Sequence, residues 1–271
     1  NESSYAAVVV SISNDVEHMK IVNNTVANNK IENSSQTFLI SLSSGSDSVL
    51  FMNNIVSQNY QYNSNEDRYD LMYSSVEFYN GKIVMLNNYI NPSISGSDRI
   101  KRSSGNYFST TSPFVNAVGG DYSLTPFSSA IAGGLASVSY DGNTVSAPTT
   151  DINGFSRGTL PDMGAIENSL NRKLTVAYVS KNGSDSNVGT STSPFLTIQK
   201  GVGAASGGDT VLVASGTYTE NIIHTSGTNI TLASQYLTTQ DTSYISSTII
   251  DGDEDGPVVF MKNSSTSLNL V

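Results

Sequence analysis

The chain has 271 residues and a formal charge of −10, and only 13% of its residues are charged, about half the share of an average soluble domain. Ser, Thr and Asn supply 97 residues while 37% remain hydrophobic, so a neutral-polar surface encloses enough apolar side chain to fold. The acidic balance without a Lys/Arg cluster excludes nucleic acid as a partner, and no apolar run approaches the roughly 20 residues of a membrane span. The absence of Cys removes disulfides, thiolate metal sites and thiol nucleophiles.

The chain opens with NESSYAAVVV and ends with SLNLV, β-type sequence at both ends and no leader, which reads as a processed piece or one period of something longer. AVVVSIS from Ala7 is followed by IVNNTVANN, Ile21 to Asn29. TFLISLS from Thr37 is followed by FMNNIVSQN, Phe51 to Asn59, and DLMYSSV from Asp70 by VMLNNYINP, Val84 to Pro92. The Asn pairs 23/24, 53/54 and 87/88 recur after 30 and then 34 residues. Short strands repeated at such a period with loops of uneven length predict a solenoid, in which each turn of chain buries its apolar side chains against the next. Asn suits the recurring bend because it tolerates the left-handed conformation and its amide can bond in ladders along the stack.

Helical signal is confined to FLTIQKGVGAA, Phe195 to Ala205, where Phe195, Ile198, Val202 and Ala205 share helical spacing after Pro194. With two glycines this helix needs packing support, and it reads as a cap over a first turn of chain.

Two stretches carry a family resemblance. YVSKNGSDSNVGTSTSPFLTIQKGVGAASGGDTVLVASGTYTENI, Tyr178 to Ile222, resembles the N-terminal start of right-handed parallel β-helix proteins of the pectate-lyase-like superfamily. SPFVNAVGGDYSLTPFSSAIAGG, Ser112 to Gly134, with DINGFSRGTLPDMGAIE, Asp151 to Glu167, resembles the C-terminal end of such proteins on bacterial surfaces, the choice-of-anchor Q region. The resemblance implies an all-β fold, a right-handed parallel β-helix solenoid with one short capping helix, in register-shifted order. Residues 1–168 would be the last turns and end of one β-helix unit, 169–173 a linker, and 174–271 the cap and first turns of the next.

Relatives in that superfamily that are lyases use a Lys or Arg base beside calcium-holding acids. Here none of the 13 Lys and Arg stands beside an acidic pair in equivalent repeats, so no catalytic residue is assigned. Arg68, Arg99, Lys101 and Arg102 read as solvated loop charges. His18 and His224 lack serine-elbow or paired-His spacing and read as surface residues. DGDEDG places Asp251, Asp253 and Asp255 at alternate positions of a tight loop, able to wrap calcium through oxygen ligands or simply to form an acidic turn. No other cofactor is required. Tyr60, Tyr62 and Tyr69, in the Tyr-rich stretch Asn59 to Asn80, could stack on sugar rings or pin a long loop.

These features lead to an extracellular, bacterial cell-surface or secreted structural repeat, a fibre or filament of β-helix units joined head to tail with copies of itself. The alternatives are a polysaccharide-binding adhesin and a polysaccharide lyase or hydrolase. The Val271 end of one unit is expected to stack on, or run into, the Asn1 end of the next.

Overall fold

The structure is a computed structural model that describes residues 10–12, 18–31, 40–63, 68–71, 76–91, 94–95, 100–225, 228–254, 256–261 and 267–271. The fold is all-β, with parallel ladders dominating and helices confined to short segments. Two compact units divide the chain: one holds residues 1–124 and 129–172, the other residues 125–128 and 173–271.

In the first unit, stretches of chain stack as four tiers of parallel strands. The first tier comprises Val10–Ile12, Met19–Val22, Thr25–Ala27 and Lys30–Ile31; the second comprises Ile40–Met52, Ile55–Ser57 and Tyr60–Asn63. The third comprises Val76–Leu86 and Tyr89–Ile90, and the fourth Ile94–Ser95, Ile100–Ser104 and Tyr107–Phe108. Register is preserved from tier to tier: Ile21 lies opposite Phe51, Phe51 opposite Met85 and Met85 opposite Ser103. After the bend, Thr25 lies opposite Ile55, Ile55 opposite Tyr89 and Tyr89 opposite Tyr107.

Strand pleating sends alternate side chains to opposite faces, and in the middle tiers both faces are covered. Leu50, Met52, Val84 and Leu86 pack against Val138, Tyr140 and Val145 of an antiparallel hairpin, Ser137–Tyr140 with Asn143–Ser146. Ile55 and Tyr89 pack against Phe114, Leu124, Ala130, Ile131 and Met163, where Phe114–Asn116 and Asp121–Leu124 form a second hairpin. Val49, Phe51, Ile83 and Met85, on the other face of their strands, are fully buried. At roughly 1.5–3 kcal/mol for each fully buried aliphatic or aromatic side chain, this double burial is the main force holding the tiers together.

The second unit repeats the scheme, with two three-strand tiers set between single strands on either side among the described residues. Val176–Val179, Thr210–Val213, Ile230–Ser234 and Leu268–Leu270 form one parallel sheet, while Gly216–Thr219 pairs with Thr248–Asp251 and Ile222–His224 with Val259–Met261. Helix α1, Ile198–Ala204, lays Ile198, Gly201 and Val202 onto that core. Its two glycines are not equivalent. A Cβ on Gly201 would stand 2.8 Å from Val211 Cγ1 and 2.9 Å from Val179 Cγ2, whereas one on Gly203 would meet nothing within 4 Å. Gly201 is therefore what allows the helix to lie close on the sheet.

The expectation of a single helix is corrected by α2, Tyr236–Thr239, and α3, Ser243–Ser247. Neither buries a residue or has a side-chain N-cap bond, so neither leaves the apolar period by which a helix is read from sequence.

Candidate functional site

The repeated Asn pairs do two separate jobs. Asn23, Asn53 and Asn87 occupy the bend with φ of 56°, 57° and 51°, a left-handed conformation that Asn accepts more readily than most residues. Their side chains fasten the covering segment: Asn23 Nδ2 donates to Asp162 O at 2.9 Å, Asn53 Nδ2 to Leu135 O at 2.8 Å, and Asn87 Nδ2 to Gly133 O at 2.7 Å. Gly105 takes the fourth place with φ of 66°, where a Cβ would stand 2.5 Å from Asn87 Oδ1.

The second Asn of each pair builds a ladder with a direction. Asn24 donates its backbone N–H and its Nδ2 to Asn54 Oδ1, Asn54 donates both to Asn88 Oδ1, and Asn88 donates both to Asn106 Oδ1. The remaining amide hydrogen points back one tier, from Asn54 to Ile21 O, from Asn88 to Phe51 O and from Asn106 to Met85 O. A shorter ladder joins Asn29 to Asn59. Asn54 and Asn88 are buried, and sharing each oxygen between two donors leaves their polar groups satisfied there.

Among the described residues, nothing covers the ends of the stacks. In the first tier Met19, Ile21 and Val26 are half-buried, although their partners Val49, Phe51 and Val56 are fully buried. Met19, Ile21, Val26, Phe51 and Val56 line a cavity of about 310 Å³, rimmed by Asn24 and Asn54. In the fourth tier Phe108 is 47% exposed while its partner Ile90 is fully buried. In the second unit Met261 and Leu270 are exposed although His224 and Leu232, their partners, are buried.

A buried charge network occupies the segment Asp151 to Glu167. Arg157 Nη1 lies 2.7 Å from Glu167 Oε2, with both side chains nearly inaccessible, and its Nη2 donates to Gly164 O at 2.8 Å. Asp162 accepts N–H groups from Ala132 and Asn168; Asp151 accepts them from Asn153, Phe155 and Glu167. Glu167 accepts them from Gly158 and Asp162. Burial, outweighing those two N–H donors and Arg157, with Glu167 adding to it, pushes Asp162 up to about 6. For Asp151 burial acts upward too, but its three N–H donors and Arg157 outweigh it and hold the group below its ordinary value. These carboxylates are occupied in holding loop backbone, the usual work of buried, fully bonded charges.

In the second unit, polar side chains likewise fix the start of α1. Asp185 accepts from Leu196 N, Thr197 N and the Thr197 hydroxyl, Thr197 caps the helix at Lys200 N, and Glu220 accepts from Ile198 N and Gln199 N.

The residues singled out from sequence are scattered. Tyr60 is half-buried and donates its hydroxyl to Gln58 Oε1 at 3.0 Å. The long loop expected there is in part an antiparallel hairpin, Tyr60–Asn63 with Arg68–Leu71, which sets Tyr62 opposite Tyr69 and Tyr60 opposite Leu71. Asp251 and Asp253 are exposed, and Asp251 Oδ1 accepts the Asp253 N–H at 3.0 Å, closing the turn. Asp255 and Arg99 lie outside the described residues. Among the described residues no three His, Asp or Glu side chains converge as a metal group would. Lys101 and Arg102 are exposed on the fourth tier. His18 is exposed with Nδ1 3.1 Å from Asp141 Oδ2. The surface reading of His224 is corrected: it is buried, with Nε2 2.7 Å from Thr228 O.

Sequence reasoning missed Asn106 and the network of Asp151, Arg157, Asp162 and Glu167. Asn106 follows a Gly rather than a second Asn, and it comes after only 18 residues. Its detectable signal is the left-handed position itself, which Gly fills as well as Asn.

Residues 181–230 match a family model described as "Protein of unknown function (DUF1565)", a family commonly associated with parallel β-helix proteins. No curated protein and no solved structure gives a significant match. The matched stretch contains α1, Asp185 and Glu220, so its polar residues include those that fix the helix on the sheet.

Proposed function

We propose that both units are segments of right-handed parallel β-helix, and that the protein is a structural repeat of an extracellular bacterial surface fibre built from such segments end to end. The observation that carries this reading is the pair of open cross-sections among the described residues, at Met19 to Val26 and at Met261 and Leu270, where core-facing side chains are covered on one side only. An exposed parallel edge with apolar cross-section is a template for further strands, and soluble proteins ordinarily cover it. The covered outer faces of the middle tiers support a scaffold role as well, since a polysaccharide enzyme needs an accessible sheet face lined with free carboxylates or a base. Negative-stain microscopy of native material tests the proposal: fibres are expected, and discrete particles of monomer size at every concentration would overturn it.

A carbohydrate-binding adhesin within the same fibre is favoured by one observation, the register that sets Tyr62 opposite Tyr69 beside Tyr60 in one hairpin. Replacing Tyr60, Tyr62 and Tyr69 together by Ala is expected to abolish glycan-array binding. Unchanged binding would remove this hairpin as the site.

A further inference from the structure

We propose that the first and fourth tiers of the first unit are complementary halves of one interface, through which the fourth tier of one copy of this chain adds to the first tier of the next. The inference rests on the end-to-end reading above, but it assigns the Met19–Val26 edge to the fourth tier of a neighbouring copy rather than to the edge at Met261 and Leu270. The ladder polarity supplies the central argument. Each inner Asn receives two donors on its Oδ1 and passes two donors on, but Asn24 Oδ1 accepts no hydrogen bond among the described residues. At the other end the Asn106 Nδ2 hydrogens are held by Met85 O and the Ser103 hydroxyl, and the donor left for the next step of the ladder is its backbone N–H, which has no acceptor among the described residues. The donor-rich end and the acceptor-rich end belong to the same unit, and each offers what the other lacks.

The backbone follows the same rule. Asn23, Asn53 and Asn87 N–H groups donate to Met52, Leu86 and Ser104 carbonyls, and Ile55, Tyr89 and Tyr107 N–H groups donate to Asn24, Asn54 and Asn88 carbonyls. One step further, across two copies, Gly105 N–H meets Val22 O and Thr25 N–H meets Asn106 O. That register puts Phe108 opposite Val26. Phe108, 47% exposed at the core-facing position of its strand, then enters the cavity of about 310 Å³ lined by Met19, Ile21, Val26, Phe51 and Val56, where roughly 150 Å³ suffices for a benzene ring. The same register sets Arg102 opposite Lys20, both exposed. Like charges directly opposite oppose pairing and are screened by salt, so association should strengthen as ionic strength rises. Because the two halves differ, the contact does not close on itself and propagates as a filament.

Sedimentation velocity on the full chain tests this with two variants at exposed positions, Phe108→Glu, which blocks the fourth tier, and Asn24→Lys, which blocks the first. Cooperative thermal melts and a far-ultraviolet circular dichroism spectrum matching wild type at 25 °C establish that both fold. The expected result is concentration-dependent polymerisation of wild type, stronger in 500 than in 50 mM NaCl, and weakening of at least roughly 30-fold in either variant, as for an interface hot spot. An equal mixture of the variants retains one intact pairing and should stop at dimers. If wild type polymerises and both variants polymerise equally well, this interface is overturned while the fibre reading stands on another edge. If wild type stays monomeric at all concentrations, this interface is overturned, and microscopy of native material decides the fibre reading separately.

Discussion

Truncating Asn88 to Ala should be among the most destabilising single changes in the first unit, although it removes neither charge nor a large apolar group. Asn88 is fully buried, and its Oδ1 accepts Asn54 N at 2.8 Å and Asn54 Nδ2 at 3.0 Å. Both donors would lose their acceptor inside the stack, at about 1–3 kcal/mol each, for a loss of about 2–6 kcal/mol. Asn24→Ala is the control, because Asn24 is exposed and only donates, to Val22 O and Asn54 Oδ1; a net cost of about 0.5–1.5 kcal/mol is expected there. Urea unfolding followed by far-ultraviolet circular dichroism gives both values, and hydrogen exchange over residues 49–57 and 83–90 assigns the loss to the middle tiers. A cost for Asn88→Ala no larger than that for Asn24→Ala would refute the ladder as a stabilising element, since its effect depends on burial and on the two orphaned donors.

Two further outcomes follow from the local geometry. Gly203→Ala should stabilise the second unit by about 0.5–1 kcal/mol through helix propensity, while Gly201→Ala should destabilise it, because pushing the helix off Val211 and Val179 costs about 1–3 kcal/mol against the same gain; opposite signs in thermal melts check the pair. Asp162, raised to about 6 from an ordinary 3.8, binds a proton in the folded state that the unfolded chain has already released between those values. Stability is therefore lost as pH rises from about 4 to about 6, by about 2–3 kcal/mol from this group alone. Asp162→Asn should flatten that part of the stability profile, and an unchanged slope would remove Asp162 as its source.

The bends were legible in sequence because their chemistry is: a left-handed residue followed by a ladder amide reads as Asn-Asn, three times over. Asn106 was hidden by the freedom of Gly105 to occupy the same conformation. The helix over residues 198–204 was visible in its apolar period, and Gly201 explains why a glycine stands in it. The covering hairpins at 114–124 and 137–146 were not legible, because they pair locally but pack onto strands far away in sequence, and alternation alone does not say which sheet a strand covers. His224 was misread because the strand Ile222–His224 alternates inward at 222 and 224, and a polar residue in the second place looks like a strand end. The charge network escaped notice because Asp151, Arg157, Asp162 and Glu167 share no regular spacing and are united only by the fold.

Cryo-electron microscopy of the wild-type chain at high salt and high concentration tests the central claim most directly. The account predicts filaments in which the strand spacing of about 4.8 Å continues unbroken across each subunit boundary, with the Asn106 backbone N–H of one copy donating to Asn24 Oδ1 of the next. Isolated particles at every concentration, or filaments joined through surfaces that leave the Met19–Ala27 edge in solvent, would contradict it.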